Sequence, residues 1–428
     1  MEKQEIYREE YEGYKKHLTE VVLPFYMKRA IDKKHGGYYS CFSNDGRNMV
    51  STHKYMWSQG RFIWIFSKLS EMEDFSEPYR KEFIELAKSG LNFVLDHGFL
   101  KDGRCAFLMD ERGEWLETTP GGGYAGSTFA DCYVASGMAE YAKAARDRKI
   151  LELAMKMYEH IMEMHQNHTF QTLPFYIPEG MKSHLSTMIL CGMQRDYLLM
   201  LEAFEDPRAE KVRTCYETLC REILDHFCQK NHMVLEMIKE DNCTSERFLG
   251  KYVNIGHTME GMWFVLEWAL MARDDSAIRK VGDIIDSTFD AGWDKEYGGL
   301  YYYRGADGNP LSGEILDEQE AKVADQMRLD QDRKLWWVHT ESLYALLLYG
   351  LTQDDSNCMK RYYELKNYIF QTFPNPDSEI GDWIFLRNRD GVPTKNEVGG
   401  RLPIKDPFHP VRNIVLIMEL LKRYWDKK

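Results

Sequence analysis

Apolar side chains recur along this chain with the three-to-four-residue spacing of amphipathic helices. The stripes come in pairs, and a stretch rich in glycine, aromatic residues or turn-forming Asn and Asp separates the members of each pair. Pro24 is expected to kink or interrupt the first stripe. The predicted helices lie near 2–31, from 54 onward, and near 78–96, 127–146, 148–166, 184–204, 207–228, 255–272, 276–290, 332–350, 355–373 and 409–426.

Two of the intervening stretches share the same chemistry. A Gly-Gly pair followed by aromatic residues begins at Gly36 and again at Gly298. Turn dipeptides lie close by, at Asp45-Gly46 and at Asp307-Gly308. These stretches predict short β-hairpins.

Helix pairs that cannot each bury an apolar face must either stack in a row or close on themselves. The chain shows no fixed repeat period and no capping repeats, which an open solenoid needs. The pattern therefore predicts an all-α (α/α)6 barrel, or toroid, of about twelve helices. The short β-hairpin excursions should gather at one mouth. No linker rich in Pro, Gly or Ser divides the chain, so residues 1–428 are expected to form a single domain.

The amino-acid composition limits which kinds of molecule the protein is expected to bind. Hydrophobic residues make up 44% of the 428, and the ten Trp and 26 Tyr exceed what packing usually recruits, which suits a sugar or another flat-faced small-molecule ligand. A formal charge of −13 without a basic run predicts no nucleic acid as partner. No apolar run approaches a membrane span, and Met1 to Glu10 lacks a signal-peptide core. The nine Cys form no C-x-x-C pair, which favours reduced thiols in a cytoplasmic protein that contacts no membrane.

The segment from Asn254 to Phe264 carries the strongest candidate chemistry. At helical spacing His257, Glu260 and Phe264 share one face of a largely apolar segment. Burying an imidazole and a carboxylate there is costly unless both are paired or functional. The pair alone leaves two interpretations open: a satisfied core contact or a site.

Other polar and aromatic side chains concentrate at the starts of alternate helices, which form the inner ring of such a barrel. Converging at one end, these first turns predict a site in the central cavity. His339 and Glu341 lie two positions apart, so at most one of them should face that cavity. The candidates are Tyr55, Trp57, Arg61, Phe129, Asp131, His184, His257, Glu260, Trp336, Trp337, His339, Glu341, Phe408, His409 and Arg412.

Several other chemistries lack their motifs. There is no His-Glu-x-x-His and no cysteine support beside His257, so no metal is predicted. Gly121 to Gly123 lacks the Lys-Ser/Thr of a phosphate loop, and no nucleophilic serine elbow is found. No cofactor is predicted, and acid–base chemistry by His and Glu remains.

Taken in order, five motifs resemble the N-acylglucosamine 2-epimerase family, which includes cellobiose 2-epimerases and mannose isomerases. They are Tyr38 to Phe42, Lys54-Tyr55-x-Trp57-x-Gln59-Gly60-Arg61, Gly256-His257-x-x-Glu260, Trp336-Trp337-x-His339-x-Glu341 and Asp406-Pro407-Phe408-His409. The resemblance covers nearly the whole chain. It implies an (α/α)6 barrel in the cytoplasm, commonly a homodimer, that uses no metal or redox cofactor.

The resemblance also implies roles for matching residues. His257 and His409 would be the catalytic acid–base pair at C2 of a sugar, with Glu260 as a supporting carboxylate and Arg61 as a clamp on the sugar oxygens. Trp337 would be an aromatic wall, and His184 resembles a ring-opening or substrate-binding histidine. Further substrate contacts are expected from Tyr55, Trp57, Asp131 and His339.

Two imidazoles on opposite faces of C2 suit this chemistry, because an imidazole side chain ordinarily titrates near neutrality and no cofactor is needed to move the α-proton. The leading hypothesis is a 2-epimerase that interconverts N-acyl-D-glucosamine and N-acyl-D-mannosamine. One-base shuttling between C1 and C2 would instead give an aldose–ketose isomerase, and a cellobiose 2-epimerase is a further alternative. A glycoside hydrolase, with carboxylates drawn from Asp131, Glu260 and Asp382, is more distant, as is a helical scaffold protein.

Overall fold

Helices dominate the computed structural model, which describes residues 2–394 and 404–425. Within these ranges α1 runs into α2 through a π-helical turn at Leu18–Val22. The helices are α1 (Glu2–His17), α2 (Leu23–Arg29), α3 (Met56–Glu71), α4 (Glu77–His97), α5 (Thr128–Ala145), α6 (Arg148–Gln166), α7 (His184–Ala203), α8 (Ala209–Glu222), α9 (Ile255–Ala272), α10 (Asp275–Gly292), α11 (Glu318–Asp330), α12 (Trp336–Thr352), α13 (Ser356–Thr372) and α14 (Phe408–Trp425).

Six of these helices form a closed inner ring. Going round it, α3 packs on α5, α5 on α7, α7 on α9, α9 on α12, and α12 on α14, which returns to α3. Each inner helix carries one outer partner: α4 on α3, α6 on α5, α8 on α7, α10 on α9, α13 on α12, and α1 on α14. The prediction of an (α/α)6 barrel is confirmed.

Burial explains which helices go inside. Helix α9 is buried on all sides from Ile255 to Leu266, because the neighbouring inner helices and α10 surround it. The outer helix α10 instead buries a single apolar stripe. Several outer helices follow an inner one through a tight turn, where Asp147, Asp274 and Asp355 cap the new helix. In the described ranges, no helix combines the length and apolarity of a membrane span.

Short antiparallel strands mark one end of the barrel. The strands are β1 (Lys54–Tyr55), β2 (Leu108–Met109), β3 (Trp115–Leu116), β4 (Met181–Ser183), β5 (Met237–Lys239), β6 (Tyr252–Asn254), β7 (Tyr303–Gly305), β8 (Lys334–Leu335) and β9 (Leu386–Arg387). They form a sheet in the order β1-β2-β3 and the pairs β4-β5, β6-β7 and β8-β9. Since β1, β4, β6 and β8 end where α3, α7, α9 and α12 begin, the sheets surround the end at which those helices start, which we call the mouth.

Two details differ from or refine the sequence-based expectation. The interruption expected at Pro24 takes the form of the π-helical turn, which ends just before the proline at the first turn of α2. Helix α11 was not predicted, because its thirteen residues are mostly polar and only four are buried. It lies within the excursion between β7 and β8.

The two Gly-Gly turns are held in the same way. All four glycines adopt positive φ, a conformation that favours glycine. The Tyr38 N–H donates to the Gln59 side chain at 2.8 Å, and the Leu300 N–H donates to His339 Nε2 at 2.9 Å. Gln59 and His339 are each the fourth residue of an inner helix. The two turns are therefore equivalent parts of the barrel.

A buried ion pair supports each of these turns. Lys54 Nζ lies 2.7 Å from Asp32, and Lys334 Nζ lies 3.1 Å from Asp294. Each ammonium also donates to a carbonyl of its own Gly-Gly turn. The lysines precede α3 and α12, so the ion pairs fix the turns against the starts of two inner helices.

Candidate active site

A cavity opens at the mouth and encloses about 1360 Å³ including its entrance. All six inner helices contribute side chains to its wall, together with loops of the mouth. One side is apolar, with Leu185, Met188 and Ile189 of α7. The polar and aromatic lining comprises Trp57, Arg61, Phe129, Tyr133, Phe175, His257, Glu260, Tyr302, Tyr303, Trp336, Trp337, Phe385, Asp406 and His409.

The indole of Trp337 contacts both candidate catalytic histidines. Its ring centre lies 5.3 Å from that of His257 and 5.5 Å from that of His409, with interplanar angles of 34° and 38°. The distance between the two imidazole centres is therefore no greater than the sum of these two distances. Helices α9 and α14, distant in sequence, thus deliver two proton carriers to one cavity.

His257 is paired with a carboxylate on the side of Nδ1. Nδ1 lies 3.1 Å from Glu236, which immediately precedes β5. An ionised carboxylate only accepts hydrogen bonds, so Nδ1 carries the proton and Nε2 is left to exchange one with a ligand. Burial alone would raise the pKa of Glu236, but the imidazoles of His257 and His184 hold it at about 2. Glu236 therefore stays charged.

His409 is paired with a second carboxylate in the same manner. Its Nδ1 donates to Glu341 at 2.6 Å, which again leaves Nε2 free for proton exchange. Glu341 is fully buried and accepts three further hydrogen bonds. Arg412 donates to it at 2.7 Å, Asn413 at 2.7 Å and Trp263 at 2.8 Å.

The surroundings of His409 keep its imidazole neutral. Burial lowers the pKa of His409 to about 3, and the positive charges of Arg61 and Arg412 act in the same direction. The negative charges of Glu260 and Asp406 raise the pKa of His409, but they do not offset the effect of burial. At neutral pH His409 is therefore a proton acceptor.

Arg61 supplies a fixed positive charge to the cavity. Its guanidinium lies 3.3 Å from Asp406, which also accepts hydrogen bonds from Ser58 and from the Phe408 N–H. The aromatic face of Tyr133 lies 4.0 Å from the guanidinium carbon. Burial lowers the pKa of Arg61, but Tyr133 and Asp406 more than offset this, so the side chain stays cationic.

Glu260 is bound to Arg412, not to the histidine on its own helix. The Arg412 guanidinium bridges the carboxylates of Glu260 and Glu341. Atoms of Glu260, Glu341 and His409 lie within 4.8 Å of one another, a spacing that suits a metal ion. Arg412 already places a cation between the two carboxylates, so we assign the charge compensation of this cluster to the guanidinium.

Two of the predicted substrate contacts lie outside the cavity wall. Both nitrogens of His339 are engaged by the backbone, since Nε2 accepts from Leu300 N–H and Nδ1 donates to the Leu335 carbonyl at 2.6 Å. Asp131, the fourth residue of α5, accepts from the Cys105 N–H at 2.7 Å. Both side chains anchor the excursions of the mouth, which corrects their expected placement against the sugar.

Tyr55 and His184 also lie behind the cavity wall. The Tyr55 ring stacks on Trp57, with centres 6.5 Å apart, and so supports a side chain that does line the cavity. His184 is fully buried between α7 and α9, and its Nδ1 lies 3.7 Å from Glu236. Its contact is with the carboxylate partner of His257, not with the cavity.

The structure adds residues that were not assigned a role from the sequence. Glu341 and Asp406 lie within the motifs that carry the family resemblance, and Arg412 follows His409 by one helical turn. The sequence therefore gives a signal for all three residues. Glu236 was missed, although a lone acid within the apolar run Met233 to Ile238 is a signal of a buried, paired carboxylate.

The amino-acid sequence is similar to a known enzyme family over most of its length. The sequence model of the family described as N-acylglucosamine 2-epimerase (GlcNAc 2-epimerase) matches residues 37–409. N-acylglucosamine 2-epimerase of Rattus norvegicus is 28% identical over 415 residues, which covers 94% of this chain and 89% of the relative.

Solved structures share the fold. Cellobiose 2-epimerase from Spirochaeta thermophila superposes with a TM-score of 0.76 at 17% identity, covering 98% of each chain. A D-mannose isomerase superposes with a TM-score of 0.73 at 17% identity, covering 96% of this chain and 97% of its own.

Proposed function

Because the chain belongs to the N-acylglucosamine 2-epimerase family, we propose that it interconverts N-acyl-D-glucosamine and N-acyl-D-mannosamine by moving the proton at C2 of the ring-opened sugar. The epimerases similar to it along nearly the full chain support this reaction class. The geometry of the cavity supports the mechanism.

A single observation carries the proposal: two histidines, each with a carboxylate at Nδ1, contact the same indole. Inversion at C2 requires that one group remove a proton from one face and another return a proton to the opposite face. His257 and His409 come from different walls of the cavity and each keeps Nε2 for the substrate. This arrangement suits a two-base reaction.

In the proposed reaction, one imidazole takes the C2 proton of the open-chain aldehyde. The electrons of the C2–H bond form a C1–C2 double bond, and negative charge develops on the C1 oxygen. The other histidine, as imidazolium, donates a proton to the opposite face of C2, and the aldehyde re-forms. Arg61 stabilises the developing oxyanion, because its charge is fixed and partly desolvated.

The remaining side chains hold the sugar and the bases. We assign Trp57 and Trp337 to the faces of the sugar, since both indoles line the cavity. Glu260 holds Arg412, which in turn holds Glu341 behind His409. Glu260 thus supports the chemistry through Arg412.

Proton NMR in D₂O tests the reaction directly. N-Acetylglucosamine incubated with the enzyme should give N-acetylmannosamine with deuterium at C2, and the reverse incubation should give deuterated N-acetylglucosamine. Mannose and cellobiose, tested in parallel, report on the alternative sugars. Formation of a ketose would contradict epimerisation and support aldose–ketose isomerisation, whereas release of a reducing end from a glycoside would support a hydrolase.

The hydrolase is disfavoured by the carboxylates it would need. Asp131 accepts a hydrogen bond from the Cys105 N–H, and Asp382 pairs with Lys405 at 2.8 Å. Both are buried outside the cavity lining. Of the three acids proposed for a glycosidase, Glu260 alone reaches the cavity wall.

We also propose that the chain is a single domain and works as a cytoplasmic homodimer. The packing of α1 and α3 on α14 supports one domain, because it joins early and late parts of the sequence. All nine cysteines are free, which suits a reducing compartment. Light scattering on the purified protein tests the dimer.

A further inference from the structure

The two carboxylates behind the catalytic histidines are neutralised by different kinds of group. Glu341, behind His409, is held by the guanidinium of Arg412, whose charge does not change with pH. Glu236, behind His257, has no arginine or lysine bonded to it in the described ranges. Its second partner is the imidazole of His184, whose Nδ1 lies 3.7 Å from the carboxylate.

Glu236 lies between two imidazoles. His257 Nδ1 is 3.1 Å from the carboxylate on one side and His184 Nδ1 is 3.7 Å from it on the other. The backbone fixes this arrangement, because the Leu185 N–H donates to the carboxylate at 3.1 Å and the His184 N–H donates to the Glu236 carbonyl at 2.8 Å. The chain of contacts therefore runs from His184 at the start of α7 to His257 at the start of α9.

The surroundings of His184 leave Glu236 as its polar partner. The ring of Phe227, after α8, lies 5.8 Å from the imidazole, and a Cβ at Gly261 of α9 would lie 3.0 Å from Nε2. The Lys182 ammonium pairs with Glu222 and lies 5.6 Å from the centre of the same Phe227 ring. Burial raises the pKa of Tyr252, and the charge of Glu236 adds to that effect.

We propose that His184 is a positioning residue for His257, acting through Glu236: it sets how much of the carboxylate charge His257 receives and fixes the orientation of the imidazole. This rests on the proposed epimerisation and adds to it. It also replaces the direct sugar contact expected for His184, since its imidazole lies behind the cavity wall.

The physical consequence concerns protonation. When a neutral side chain replaces His184, Glu236 keeps its charge but shares it with one imidazole instead of two. His257 then binds its proton more tightly. Since the imidazole must alternate between neutral and charged forms, the pH dependence that His257 governs should move to higher pH, and turnover at neutral pH should fall.

The test combines the variant His184→Gln with NMR of ring-labelled histidine. The His257 signal, assigned by its loss in His257→Gln, should titrate about one pH unit higher in His184→Gln. The kcat should fall about tenfold while KM changes little, because the cavity wall is intact. His339→Gln, which alters another buried histidine at the start of an inner helix, should leave the His257 titration unchanged.

A double-mutant cycle distinguishes a positioning role of His184 from a purely structural one, because only a positioning role makes its effect on His257 depend on Glu236. In a Glu236→Gln background, the His184→Gln change should no longer shift the titration of His257. The unmodified enzyme offers a further measurement that needs no variant at position 184, because the His184 and His257 signals should titrate as a coupled pair.

Independent titration of the two rings, or an unshifted His257 signal in a folded His184→Gln protein, would overturn the inference. That outcome differs from failure of the proposed function. If His257→Gln and His409→Gln both epimerise normally, the two-base mechanism is wrong whatever His184 does. If both variants lose epimerisation while His184→Gln behaves as the parent, only the role of His184 is wrong.

Discussion

Gln59 and His339 hold equivalent positions in two parts of the barrel, each accepting the backbone N–H that follows a Gly-Gly turn. An amide oxygen and an imidazole nitrogen thus perform one structural task. This equivalence explains why a buried histidine near the mouth does not face the substrate.

We expect His339→Gln to be tolerated and His339→Leu to destabilise the protein. Leucine leaves the buried Leu300 N–H without an acceptor, which costs about 1–3 kcal/mol in the free energy of unfolding. Urea denaturation of the two variants and the parent measures the difference. Equal stability of the glutamine and leucine variants would show that this hydrogen bond is unimportant.

The two catalytic histidines should be separable by isotope exchange. His257→Gln and His409→Gln should each lose epimerisation by about 10²-fold or more, since one face of C2 lacks its base. Each variant should still exchange the C2 proton of one epimer with D₂O, and the two variants should prefer opposite epimers. Thermal midpoints within a few degrees of the parent provide the control for folding.

Exchange of both epimers by one single-histidine variant would contradict this assignment. It would mean that the remaining imidazole reaches both faces of C2. Loss of all exchange in both variants would instead place the two groups in a single concerted step.

Arg412→Gln should affect both stability and catalysis. It leaves Glu260 and Glu341 without their shared cation, and breaking a buried pair of this kind costs about 3–5 kcal/mol in the free energy of unfolding. Because Arg412 helps to lower the pKa of His409, its loss should raise that pKa and move the acid limb of kcat/KM to higher pH. Arg412→Lys, which keeps the charge but not the two-carboxylate geometry, should recover only part of each effect.

Stability should decline in mild acid. His339 and His409 have pKa values lowered to about 3, chiefly by burial, whereas an unfolded histidine binds its proton at about 6.5. Between these values the unfolded state binds more protons, so each group should lower the free energy of unfolding by up to about 1.4 kcal/mol per pH unit as pH falls.

A matched comparison isolates one of these histidines. His339→Gln should show a shallower decline than the parent between pH 6.5 and 4, measured by urea denaturation at each pH. Below about pH 4.5 a second loss should begin, because the pKa of Glu236 is lowered to about 2 in the folded protein. A parent protein equally stable at pH 7 and pH 4 would contradict the neutral state of the buried imidazoles.

The helices of the barrel were predictable because the outer ones, such as α10, carry one apolar stripe and the inner ones, such as α9, are long and apolar nearly throughout. The predicted bounds of the helix near 255–272 agree with α9 (Ile255–Ala272), and those near 148–166 with α6 (Arg148–Gln166). Helix α11 was not predictable, since its few buried positions give a weak stripe. The closing contact of α14 with α3 follows from the number of helix pairs, not from any local pattern.

The site was predictable in part. His257, His409, Arg61 and Glu260 line the cavity as the resemblance implied. The fourth residues of three inner helices, Gln59, Asp131 and His339, bind instead to the backbone of an excursion. Helical periodicity alone does not distinguish a side chain that faces the cavity from one that faces an excursion. Glu236 depends on the pairing of β4 with β5, a contact between segments about fifty residues apart that no short window contains.

The indole of Trp337 contacts the imidazoles of both His257 and His409. Because Trp337 contacts both imidazoles, the proposed two-base reaction needs a substrate whose reacting carbon reaches both rings beside that one indole. A hexosamine bearing a methyl group in place of the C2 hydrogen should be inert, because it offers neither imidazole a proton.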